Sequence, residues 1–367
     1  MTGPPGHPGG GSKTTHTPLP AHRSLPPVRL VVPCLLLLLA GCTAAPGPDA
    51  PSEPPSGEVA HGTVWTHLPD GPAERHVPAG ATLTIHNASL AGVRLTVDGT
   101  LLVRDADLRL DRGSLVVRGE ADLQRSRLHG SPGALLRVEG GTVRLTDTDL
   151  QDATGNAVRM LGGALVAHGG AWTGVGGYGV HADDADVLLR GVRALGTGDY
   201  GVRLERGGLT VEGGTFAGEC GIYVRGGSAR IDGATVSTTR HGVTLLAADA
   251  TVTDTTFTTA REAVLLHDGT LHLRNASFSG VGTALLVASG HADLRHNRLE
   301  ATDAAVENRN GTLEARDNDF LGPGPGVRNL ATAPLSVPGN WWGGDPPAVA
   351  VEGAVERTPW RTSPARA

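Results

Sequence analysis

The sequence predicts an all-β chain, a single-stranded right-handed parallel β-helix (solenoid) of about 13 coils with a 21–22-residue period. Composition, a repeat, and an alternation inside each repeat carry this expectation. The 367 residues include 54 glycines and 25 prolines but only four Phe, five Trp and three Tyr. That is too much backbone freedom and too little bulk for long helices around a large core. Ten-residue windows beginning at residues 81, 99, 119, 141, 163, 185, 207, 227, 248, 269, 290, 311 and 333 superimpose without gaps, at steps of 18 to 22 residues. Their third, fifth and tenth positions are apolar in all thirteen windows, although the chain is only 39% hydrophobic.

Each part of the coil follows from its residues. Position 3 runs from Leu83 and Leu101 through Leu209 and Leu271 to Leu335, and position 5 from Ile85 and Val103 through Val211 and Leu273 to Val337. Both alternate with mainly polar neighbours, the period of a strand with one buried face. Position 7 is Gly, Asn or Asp in eleven of the thirteen windows, with Arg125 and His296 as the exceptions. Those three residue types best tolerate a left-handed backbone, so the chain should bend there in every coil. Position 10 is apolar throughout and in many coils bulky, from Leu90 through Trp172, Phe216, Phe257, Phe278 and Phe320 to Trp342. A second short strand precedes most windows, as in Val158-Arg159-Met160, Val180-His181-Ala182, Val202-Arg203-Leu204 and Ile222-Tyr223-Val224. Rungs about 4.8 Å apart would make a rod about 60 Å long, and right-handed winding follows from strand-crossover-strand units. Leucine-rich repeats share the period, but their L-x-x-L-x-L line and asparagine ladder are not expected here.

Ahead of the repeats, residues 30–39 form an apolar run after Arg29, too short to span a bilayer and suited to a signal-peptide core. The run ends in Leu39-Ala40-Gly41-Cys42, which resembles the lipobox of prokaryotic lipoproteins. That resemblance implies removal of the preceding segment and lipidation of Cys42. An ordinary signal peptide followed by an incidental cysteine is the alternative. The Pro/Gly-rich residues 1–27 are unusual for such a leader, and a true start at Val28 would remove the anomaly. Residues 43–60 read as a Pro/Ser-rich tether, 61–345 as the β-helix and 346–367 as a C-terminal cap and tail. The expected address is the cell surface or the periplasmic side of a prokaryotic membrane, with the membrane as partner through Cys42.

Charge and cysteine content narrow the function. All 37 acidic residues follow Cys42 but only 28 of the 31 basic ones do, so the mature chain carries a formal charge of about −9. That argues against a nucleic-acid partner, which would need a basic face. Only Cys220 remains as a thiol in the mature domain. It can form no internal disulfide, and a buried inert thiol is the expectation.

The opening VPAGATLTI (residues 77–85), the repeated G-V/I-x-V/L strand and the closing Asn340-Trp341-Trp342-Gly343-Gly344-Asp345-Pro346 followed by GAVERTPW (353–360) resemble the right-handed parallel β-helix repeat family of the pectin-lyase-like superfamily. The closing signature marks a final coil, with Trp342 continuing the inward stack and Trp341 and Trp360 sealing the open end; an aromatic sugar-binding platform is the alternative. The resemblance implies fold rather than reaction, because the superfamily includes polysaccharide lyases, hydrolases, epimerases, adhesins and surface proteins of no known activity.

Outward columns beside the second strand hold the candidate site. One reads Arg137, Arg159, His181, Arg203, Tyr223, Thr244, Leu265, and the column two residues on reads Glu139, Leu161, Asp183, Glu205, Arg225, Leu246, His267. Asp183 and Glu205 would lie one rung apart, about the 5 Å spacing of a retaining carboxylate pair, with His181 beside them as a third candidate catalytic group. Arg159, Arg203, Tyr223 and Arg225 are candidate ligand-binding residues for an acidic polysaccharide or surface glycan. The alternative is a ladder of arginines and carboxylates that neutralise one another across rungs. A second mixed-charge set is Arg274, Arg295 and Arg316 beside His272, Asp293 and Glu314. No metal-ligand spacing is present; Asp183, Glu205 and Glu139 could meet a calcium ion but offer too few oxygens to support one, so no cofactor is expected. A period this even leaves no residues for long cleft-forming loops, which disfavours enclosure of a transition state. The expected function is a noncatalytic surface spacer, adhesive or glycan-binding module, with a lyase, hydrolase or epimerase acting on an acidic polysaccharide as the alternative.

Overall fold

The computed structural model describes residues 58–67, 74–111, 113–344 and 347–365. The leader, the lipobox ending at Cys42 and residues 43–57 of the tether lie outside the described residues. The chain forms an all-β, right-handed parallel solenoid of about 14 turns. Each turn contributes up to three strands to three parallel stacks. Thr82–His86, Thr100–Arg104 and Glu120–Gln124 begin the first stack, in register at Leu83, Leu101 and Ala121. Ser89–Ala91, Asp107–Arg109 and Arg127–Ser131 begin the second, and Glu74–Val77, Arg94–Val97 and Leu115–Val117 the third.

The inward columns are those the alternation predicts. All residues at window positions 3, 5 and 10 are buried, including Leu335 at the last coil. Position 7 adopts positive φ in all thirteen windows, from 46° at Arg125 to 74° at Gly339. Arg125 and His296 (φ 58°) therefore take the strained conformation that eleven windows give to Gly, Asn or Asp.

The bend creates a demand that position 8 meets. Turning the chain at position 7 leaves the position-8 N–H and the position-5 C=O to be satisfied, and in those coils that carry Ser, Thr or Asn at position 8 that side chain helps to satisfy them. Ser126 Oγ accepts from Ala106 N, and Thr148 donates to Leu123 O. In the last coils the bridge becomes a buried asparagine ladder. Asn297 Nδ2 donates to Leu273 O and to Asn318 Oδ1; Asn318 Nδ2 donates to Leu294 O and to Asn340 Oδ1; Asn340 Nδ2 donates to Ala315 O. The absence of an asparagine ladder expected from the sequence is thus corrected: three residues make one, occupying a corner where leucine-rich logic did not look.

The glycine of the G-V/I-x-V/L strand has a packing cause. Gly201, Gly221 and Gly242 form one inward column beside the bulky position-10 residues. A Cβ at Gly242 would fall 3.0 Å from Phe257 Cδ1 and 2.4 Å from Ala263 O. Small side chains in one column make room for large ones in the next.

Parallel pairing continues beyond the thirteen windows. Thr63–Trp65 pairs with Thr82–His86, placing buried Trp65 opposite Ile85. Val355–Glu356 pairs with Leu335–Ser336, so the segment expected as a cap supplies part of a further turn. Trp342 is fully buried and stacks on Phe320 at 4.4 Å between centroids, while Trp360 packs against the end of the core. Trp341 is half-buried and takes part through its backbone, which bridges Asp319.

Candidate functional site

Strand register delivers the predicted columns. Arg159, His181, Arg203 and Tyr223 are successive partners on the third stack, and Asp183, Glu205 and Arg225 are successive partners two residues on. Alternation in the strand turns these side chains outward while Val180, Val202 and Ile222 fill the core.

The groups are not free. Arg159 Nη2 donates to Asp183 Oδ2 at 2.6 Å, and its Nη1 is buried with no hydrogen-bond partner. Arg203 holds Glu205 Oε1 through Nη2 at 2.6 Å and Nε at 3.0 Å, and donates from Nη1 to Tyr178 Oη at 2.9 Å. Its guanidinium lies 5.5 Å from the Tyr178 ring centroid and 5.3 Å from that of Tyr223. Burial works against the Arg203 charge, but the bonds to Glu205 and Tyr178 outweigh it and hold the group protonated above its ordinary range. Arg225 is exposed, 3.8 Å from Glu205 Oε2. Burial, then the charges of Arg159 and Arg203, push His181 below its ordinary value and keep it neutral at pH 7.

Sequence reasoning missed two members of this cluster. Tyr178 and Tyr200 sit at the corner before the strand, so all three tyrosines of the chain converge. Tyr178 and Tyr200 stack at 6.4 Å, Tyr200 meets Tyr223 at 5.4 Å, and Tyr178 meets His181 at 4.7 Å. The signal was legible as Tyr-Gly-Val recurring at 178–180 and 200–202. Burial, then Cys220, pushes the Tyr200 hydroxyl up to about 12.

Truncating an outward, solvated side chain ordinarily changes stability by about 0.5 kcal/mol or less. Arg203 differs, because its partner Glu205 is only 9% exposed. Removing Arg203 strands a buried carboxylate and empties the space between two rings. A loss of about 1–3 kcal/mol is expected in urea denaturation, with Arg225→Ala, on an exposed side chain, costing less than about 0.5 kcal/mol.

Asp183 and Glu205 are neighbours on adjacent rungs as a retaining pair requires, but each is bound by an arginine. Glu139 is likewise taken by Arg118 and Arg137. Cys220, His241 and Glu262 are successive partners at the corner, with His241 Nδ1 3.2 Å from Glu262 Oε2. That order resembles a nucleophile relay, yet Cys220 is buried and burial raises its pKa, so the thiolate is disfavoured. In the other charged set, Asp293 is buried and takes Arg295 Nε at 2.9 Å, with Arg274 at 3.7 Å and His272 at 3.5 Å. Burial raises its pKa, and the bond from Arg295 outweighs that and keeps it low. Among the described residues no group of three or more His, Cys, Asp or Glu side chains converges as metal ligands.

No protein-family model, curated protein or solved structure matches this chain. The coil geometry is consistent with a parallel β-helix repeat family, and the site has to be read from its own chemistry.

Proposed function

We propose that this chain is an extracytoplasmic, lipid-anchored rod that binds glycan on its third stack without turning it over. The convergence of the partly exposed Tyr178, Tyr200 and Tyr223 around Arg203 supports this most directly. Rigid aromatic rings beside fixed hydrogen-bonding groups make a binding surface. Catalysis would need a carboxylate free to move a proton, and both available ones are held by arginine. Purified full-length protein incubated with polysaccharides should retain polymer and release no new chain ends. Chain ends that appear with the parent and vanish in Asp183→Asn/Glu205→Gln would establish the enzyme alternative.

The anchor is supported by the short apolar run ending in Leu39-Ala40-Gly41-Cys42. Parent protein should partition into the detergent phase and Cys42→Ser into the aqueous phase. Equal partitioning of the two would refute lipidation at this cysteine.

A further inference from the structure

We infer that the tyrosine face takes an uncharged saccharide chain and not a polyanion, a refinement that rests on the glycan-binding reading. The sequence had pointed to an acidic polymer because Arg159, Arg203 and Arg225 align beside Tyr223. Side-chain pairing removes that basis. Arg159 is bound to Asp183, Arg203 to Glu205, and Arg225 lies near the second oxygen of Glu205. With Asp199 beside Tyr200, three carboxylates match three arginines. The neighbouring Arg206 and Arg240 are paired to Asp184 and Glu219.

Exposed Arg225 alone could meet a polyanion without opening a tight pair; to gain more, the polyanion would have to draw Arg203 away from Glu205. That leaves a nearly buried carboxylate unpaired, which costs more than an exposed ion pair returns. The field of a mature chain with a formal charge of about −9 opposes its approach as well.

What the face offers instead is amphipathic. Tyr178, Tyr200 and Tyr223 are partly exposed and lie beside Leu161 in the next column, which is 43% exposed, so aromatic and aliphatic area meets solvent here. The Tyr223 hydroxyl has no hydrogen-bond partner among the described residues, and the Arg–carboxylate pairs hold donors and acceptors in fixed planes. A pyranose ring has the matching character: C–H groups on its faces for the aromatic rings and hydroxyls at its rim for the fixed polar pairs. None of these contacts requires an ion pair to open.

The experiment is equilibrium binding of the full-length protein in detergent to neutral polymers (dextran, a β-glucan, galactomannan, xylan) and acidic ones (polygalacturonate, alginate). Each is measured at about 0.01 M and about 1 M ionic strength, where charge screening differs most. At least one neutral polymer should bind, with affinity changing less than about twofold between the two salts. Tyr223→Thr, which installs the residue type of the next rung, should lose about tenfold or more, and Tyr223→Phe should stay within about threefold. Circular dichroism melts establish that both variants remain folded. Binding confined to the acidic polymers and collapsing at high salt would overturn this inference while leaving glycan binding intact. Failure of every polymer at both salts would overturn the glycan reading itself.

Discussion

Leu273→Asp is expected to destabilise the rod by more than about 4 kcal/mol, and Val211→Asp by a similar amount. Both side chains are fully buried at position 5, in register with Val252 and Leu294 for the first and Leu189 and Ile231 for the second. The substitution removes apolar contacts on two adjacent rungs and places a carboxylate where no donor can reach it. Because each coil contacts mainly its neighbours, the damage should be local at first. Urea unfolding followed by circular dichroism should show the main transition displaced to lower denaturant or split in two. A midpoint unchanged from the parent, or a loss smaller than that of Arg203→Ala, would discredit the assignment of inward and outward columns.

Asn318→Leu is expected to cost about 3 kcal/mol or more, an effect out of proportion to a single polar side chain. Asn318 Oδ1 accepts from Asn297 N and Asn297 Nδ2, and its Nδ2 donates to Leu294 O, Arg316 O and Asn340 Oδ1. Leucine has the same branched outline but is bulkier and cannot hydrogen-bond, so it leaves these partners buried and unpaired between coils. Exposed Asn310 is the comparison: Asn310→Leu should stay within about 0.5 kcal/mol. Equal losses at the two positions in thermal or urea melts would show that the ladder does not hold the last coils together.

The candidate site was half legible before any coordinates. Register alone brought Arg159, His181, Arg203 and Tyr223 into one column and Asp183, Glu205 and Arg225 into another, since like positions in successive coils must stack. Tyr178 and Tyr200 escaped because they stand at a corner, where no period-two pattern says which way a side chain leans. The asparagine ladder escaped for the same reason. It lies one residue past the bend, where Ala88, Thr148, Val192 and Asn318 occupy equivalent places and no single residue type repeats along the rod.

The sequence by itself determined the coil: its period, the inward positions, the bend at position 7 and the order of residues along each outward column. These follow from strand alternation and from the few residue types that accept positive φ, both properties of short segments. Only the tertiary structure decided how the outward side chains pair. Whether Arg203 reaches Glu205, Tyr178 or solvent depends on rotamers, with Glu205 two residues along the same strand and Tyr178 25 residues earlier in the chain but on the adjacent rung. That choice paired Arg159 with Asp183 and Arg203 with Glu205, because a half-buried guanidinium is stabilised where a carboxylate and aromatic rings meet it.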